Sequence, residues 1–137
     1  MQFVELLNKN RNFTLAVECI ATHQHQYSNR MMVATLWAGL EAIFGIKSEL
    51  TFRLAMCVAV VLEPPGVNRL ELFRAVKKMY GFRSKAVHGE VLKDGEITKH
   101  VLDVRAILSR VLCKIIENKQ MYSEKIMEEL IFGNGTL

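Results

Sequence analysis

Proline is almost missing from this chain. Its two prolines are adjacent, Pro64-Pro65, so only one point among 137 residues carries an obligatory helix break. No segment alternates apolar and polar residues as a half-buried strand would, which leaves helix as the dominant element. Cysteine is scarce too: Cys19, Cys57 and Cys113 lie far apart, each in an apolar context. An odd number without a CxxC pair argues against a disulfide framework or a zinc ribbon, and buried thiols are expected. Long hydrophobic runs are lacking. Residues 31–46 form the longest weakly charged stretch, but it contains Glu41 and falls short of the roughly 20 residues a spanning helix needs. Glu5 and the polar run over residues 8–12 are unlike a secretory leader, so a cytoplasmic protein without membrane association is expected. Neither GxGxxG nor GxxxxGK occurs, so dinucleotide and phosphate-loop chemistry lack support and no cofactor is expected.

What is present fits an ordinary globular domain. Hydrophobic residues make up 50% and charged residues 23% of the chain, enough to bury a core without staples. Residues 1–137 are expected to form a single domain, alone or within a longer protein. The net charge of +4 is modest, so the placement of cations matters more than their number. Five to six helices are expected. The first covers residues 13–24 on the spacing of Phe13, Val17 and Ile20. The second covers residues 30–44, capped by Asn29 and ended by Gly45. A third follows Ser48, with Glu49 in its first turn, and stops before Glu63-Pro64-Pro65. Asn68 and Glu71, at capping-box spacing, open a fourth that runs toward His88 and Gly89. Asp94-Gly95 reads as a turn, even a short hairpin. A long helix follows Thr98 with a stripe of Val101, Val104, Ile107, Leu108, Val111, Leu112 and Ile115. The last spans Ser123 to about Phe132, and residues 133–137 are expected to fray.

One stretch carries chemistry: Tyr80-Gly81-Phe82-Arg83-Ser84-Lys85-Ala86-Val87-His88-Gly89. Arginine holds a phosphate through two parallel hydrogen bonds, and histidine exchanges protons near neutral pH. The spacing itself arises readily by chance in a chain with eight arginines and four histidines. Residues five apart on a straight helix point about 140° apart. Arg83 and His88 therefore converge only at a helix end or across two chains. Around them Arg69, Arg74, Lys77, Lys78 and Lys85 face a single acid, Glu71, as a surface attracting RNA phosphates would. A lysine-rich face is most often plain solvated surface. Glu41, inside an apolar helix, wants a partner, and Arg83 is the natural one. His23 and His25 point to different helix faces, so no metal site is expected. His100 is expected on the surface, and Trp37, Phe44 and Phe73 in the core.

The stretch from Arg83 to Gly89, preceded by Tyr80, resembles the RX4–6H signature of HEPN domains, particularly the ApeA-like group. Leu36-Trp37-Ala38-Gly39-Leu40-Glu41-Ala42-Ile43-Phe44-Gly45 resembles the ALEALFG helix of the same group. The resemblance spans about residues 29–118. It implies an all-α, HEPN-like bundle that dimerises, bringing two such motifs together in a cleft. It also implies a metal-independent endoribonuclease of a defence or toxin–antitoxin system, with an antitoxin or sensor domain as a further partner. His88 would act as general acid/base and Arg83 would hold the scissile phosphate. Ser84 stands where the family often has Asn, Asp or His and could bond the phosphate. Lys85, Lys77 and Lys78 would contact the RNA backbone, and Glu41 and Tyr80 would orient the arginine. The alternatives are a non-catalytic HEPN module for RNA or nucleotide binding or for dimerisation, and a purely structural helical dimer.

Overall fold

Among residues 2–133, which the computed structural model describes, all regular structure is helical. The order is α1 (Gln2–Lys9), α2 (Arg11–Thr22), a 3-10 turn (His23–His25), α3 (Asn29–Phe44), α4 (Leu50–Leu62), α5 (Val67–Val87), α6 (Asp94–Asn118) and α7 (Glu124–Ile131). The expected fraying over residues 133–137 lies, beyond Gly133, outside the described residues. The chain is an all-α bundle.

Helix α3 is the central element and packs on α2, α5 and α6, while α4 packs on α5. Its inward side carries Val33, Leu36, Trp37 and Leu40, all fully buried. Truncating a buried side chain of such size typically costs about 2–5 kcal/mol, because the cavity collapses only in part. Close approach is set by Gly39, where an added Cβ would lie 3.1 Å from Leu108 Cδ2 and 3.2 Å from Cys19 Cβ. Val104, Leu108, Val111 and Ile115 of α6 complete the core as their periodicity predicts. Helix α4 buries Leu54, Ala55, Val58, Val61 and Leu62 and stops before the two prolines. There Arg69 donates to Glu63 O (2.7 Å) and Val60 O (3.2 Å), closing the end of α4. Arg69 is thus a cap rather than part of a cationic face.

Several boundaries differ from the sequence reading. Helix α1 was not expected; it is short, separated from α2 by extended Asn10, and held by Leu6 in the core and by Thr14 Oγ1 bonding Leu7 O at 2.7 Å. Ser28, not Asn29, caps α3, its hydroxyl accepting from Met31 N. Glu49 sits at the N-cap of α4 in a left-handed conformation (φ 52°) instead of in the first turn. Gly66 precedes α5, and Asn68 makes no cap bond. Asp94 and Gly95 form no hairpin: they begin α6, where Asp94 and Glu96 place negative charge at the helix N-terminus. Cys113 is exposed, unlike Cys19 and Cys57, and Phe73 is only half-buried. No helix of the described residues is long and apolar enough to cross a membrane.

Candidate functional site

Helix α5 ends because Gly89 adopts φ 77°, a conformation that side chains resist. Glu90 N donates to Lys85 O (3.1 Å) and Gly89 N to Ala86 O (3.3 Å), the paired bonds of a glycine-terminated helix. His88 occupies the C-cap with its side chain exposed, and its amide donates to Ser84 O at 3.0 Å. Arg30, at the start of α3, locks this turn from outside: its guanidinium donates to Ala86 O (2.8 Å) and to Glu90 O. Nothing local to Arg30 announces that role, because the two ends meet only through the tertiary fold. Arg30→Ala should lower stability by about 1–3 kcal/mol and speed amide exchange at Glu90; unchanged exchange would show that the clamp is idle.

Five residues back, Arg83 lies on the inward side of α5. Its Nη2 is 3.8 Å from Glu41 Oε1, and both side chains are 24% exposed. The guanidinium carbon sits 5.1 Å from the centre of the Tyr80 ring. Tyr80 donates its hydroxyl to the same Glu41 oxygen at 3.2 Å and meets Trp37 edge-on at 5.2 Å. Burial first, then the Glu41 charge, push the Tyr80 phenol above its ordinary value against the pull of Arg83, so it stays a neutral donor. The separation between Arg83 and Glu41 is too long for a firm hydrogen bond. Arg83 Nε is buried without an acceptor, the only side-chain nitrogen or oxygen in that state among the described residues. The arginine is oriented yet keeps donor capacity.

Arg83 and His88 do not converge within one chain. Helix α5 is unbroken through Val87, so the two leave it about 140° apart. Counting about 100° per residue, Lys77, Gly81, Ser84 and His88 form one stripe within an arc of roughly 60°. Ser84 Oγ bonds Tyr80 O at 3.3 Å, and Lys77 lies over the Phe73 ring at 5.8 Å. Lys78 and Lys85 lie about 80–100° round the helix from Lys77 and line a cleft of about 600 Å³ between α5 and α6. The six proposed RNA and site residues of α5 are therefore divided among three directions.

The other histidines also separate. His23 is buried in the 3-10 turn with Nδ1 2.7 Å from Ile20 O, and His25 is exposed. No group of three His, Cys, Asp or Glu suited to a metal occurs among the described residues. His100, expected on the surface, is buried. Its Nε2 accepts from Trp37 Nε1 at 2.9 Å, and its ring packs against Phe82 at 4.6 Å. Burial drives its pKa down to about 4, with Asp103 pulling upward and Lys99 adding to the depression. The available signal was its spacing on α6, three residues after Ile97 and four before Val104 of the apolar stripe. Comparison with protein-family models, characterised proteins and solved structures gives no match for this chain.

Proposed function

We propose that this chain is a metal-independent endoribonuclease that works as a homodimer, in a defence or toxin–antitoxin setting with an antitoxin or sensor as partner. One observation carries the reading: the two segments that resemble HEPN motifs pack against each other, and Glu41 of α3 meets Arg83 of α5 where they do. In the reaction, His88 takes the proton of an RNA 2′-hydroxyl and the 2′-oxygen bonds to phosphorus. The bond to the 5′-oxygen breaks, that oxygen is protonated, and a 2′,3′-cyclic phosphate remains. Arg83 holds the scissile phosphate and balances the charge growing on its non-bridging oxygens. Lys77 and Ser84, on the stripe of His88, contact the strand; Lys78 and Lys85 add positive field beside it.

A second copy supplies what one helix cannot. Arg83 and His88 point apart on α5, so a phosphate reaches both kinds of group when two α5 ends face each other. Exposed Val87 and Val91 lie beside His88 in the chain, exposed Tyr27 and Met31 lie beside Arg30, which joins α3 to this end of α5, and these side chains give that contact apolar surface.

The half-buried pairing of Arg83 with Glu41 also favours a second reading, a non-catalytic HEPN module that binds RNA. Incubating the chain with single-stranded RNA in EDTA separates the two. Cleavage to 2′,3′-cyclic ends, by a species that sediments as a dimer, is the expected result. Salt-sensitive binding without cleavage, weakened by Arg83→Ala, would install the second reading instead.

A further inference from the structure

The cleft between α5 and α6 gives the reaction proposed above only the distant field of Lys78 and Lys85, and holds none of its reacting groups. Met79 and Phe82 of α5, Leu92 of the connection and His100 of α6 form its apolar and aromatic lining, with lysines on the α5 side. At about 600 Å³ it falls within the size range of small-molecule sites. We infer that it takes a small amphiphile with a single anionic group. The apolar body lies on Met79, Phe82 and Leu92, the anion sits by Lys78 and Lys85, and an oxygen accepts a hydrogen bond from His100.

His100 provides the directional element. The ring is 6% exposed, and its Nε2 is occupied by the Trp37 indole N–H at 2.9 Å. A neutral imidazole that accepts at Nε2 carries its proton on Nδ1, and the depressed pKa keeps it neutral in ordinary buffers. That Nδ1 bonds to nothing in the described protein. Arg83 Nε is the one sealed side-chain atom without a partner among the described residues, so His100 Nδ1 keeps solvent access, and His100 itself lines the cleft. Such a donor is available to an acceptor bound in the cleft.

Charge distribution selects the ligand. Among the described residues no carboxylate pairs with Lys78 or Lys85 on the α5 wall, whereas Lys99 is tied to Asp103 at 2.7 Å. The α6 wall thus offers a neutralised pair and the carboxylate of Glu96. One anionic group fits between the α5 lysines; a polyanion such as an RNA strand would meet the acidic wall. Fatty carboxylates and aryl sulfonates have the required combination.

The test uses the full chain and the probe 1-anilinonaphthalene-8-sulfonate. Trp37 is the single tryptophan, so its indole N–H gives one NMR signal that reports directly on His100. Saturable 1:1 binding that moves this signal is expected, at least tenfold weaker in Lys78→Glu/Lys85→Glu. Lys125→Glu, on exposed α7, should keep the affinity, and dodecanoate should displace the probe. No saturable binding, an unmoved indole signal, equal affinity in the double variant, equal weakening by Lys125→Glu, or failure of dodecanoate to compete would each overturn the assignment. The readout needs no nuclease activity, so it stands or falls apart from the ribonuclease reading.

Discussion

His88→Ala should lower the rate of EDTA-resistant RNA cleavage by about 10²–10⁴-fold, the usual contribution of a positioned acid or base, while the melting temperature barely moves. The imidazole is exposed and makes no hydrogen bond within the described protein. The structural part of residue 88 is its backbone, whose N–H to Ser84 O bond survives truncation. Arg83→Ala should cost a similar rate factor, about 10²–10³-fold for one lost charge-stabilising group, but should also lower stability by about 1 kcal/mol or more. It strands the half-buried Glu41 carboxylate with Tyr80 as its remaining partner. Arg83→Lys keeps the charge and loses the forked geometry, so it should fold like the parent and cleave poorly. Rates from purified chains on a labelled oligonucleotide, paired with thermal melts, distinguish these cases. If His88→Ala cleaves as fast as the parent, the histidine has no catalytic role, whatever Arg83 does.

The bundle was legible because its signals are local. The stripe from Val101 to Ile115 and the stops at Gly45, Gly89 and Pro64 depend on neighbours within a turn or two, and the helices follow them closely. What was not legible depends on distant contacts. Asp94-Gly95 has the chemistry of a turn, yet the two residues join α6, where Ile97 and His100 gain burial one turn earlier than the stripe suggested. Tertiary packing outweighs a turn preference worth at most about 1 kcal/mol. Helix α1 was missed for the same reason: eight residues are too few to be helical alone, and it exists through Leu6 and the Thr14 bond.

The candidate site shows the same division. An acid in an apolar helix needs a partner, and that alone pointed from Glu41 to Arg83. The angle between Arg83 and His88 also followed from helix geometry. Arg30 did not, since its acceptors are backbone carbonyls at the far end of another helix and leave no mark on sequence. Nor did the separation of Lys77 from Lys78 and Lys85 count for much until α6 supplied a wall: cations adjacent in sequence look like one patch, and a helix distributes them around its circumference.

Acid should weaken the fold through His100 specifically. A histidine unfolded in water titrates near 6.5, whereas in the native chain it does so at about 4. Between those values the unfolded chain binds the proton more readily, so stability is whole above about pH 6.5 and declines as the pH falls toward 4. The decline from this one group amounts to about 3 kcal/mol and levels off below pH 4. Desolvation is the main cause. Asp103 on its own helix, and Glu96 beside it, favour the charged ring; Lys99, and Lys78 and Lys85 across the cleft, oppose it. Protonation is resisted further because Trp37 already donates to Nε2, and a proton there would set donor against donor in a buried contact. His100→Gln separates this effect from general acid unfolding: an amide oxygen can accept from Trp37 and does not titrate. The variant should be less stable than the parent at pH 7, through lost packing on Phe82. That gap should then close, or reverse, by about 3 kcal/mol as urea midpoints are followed down to pH 4. A gap that stays constant over that range would mean the buried ring is not resisting its proton.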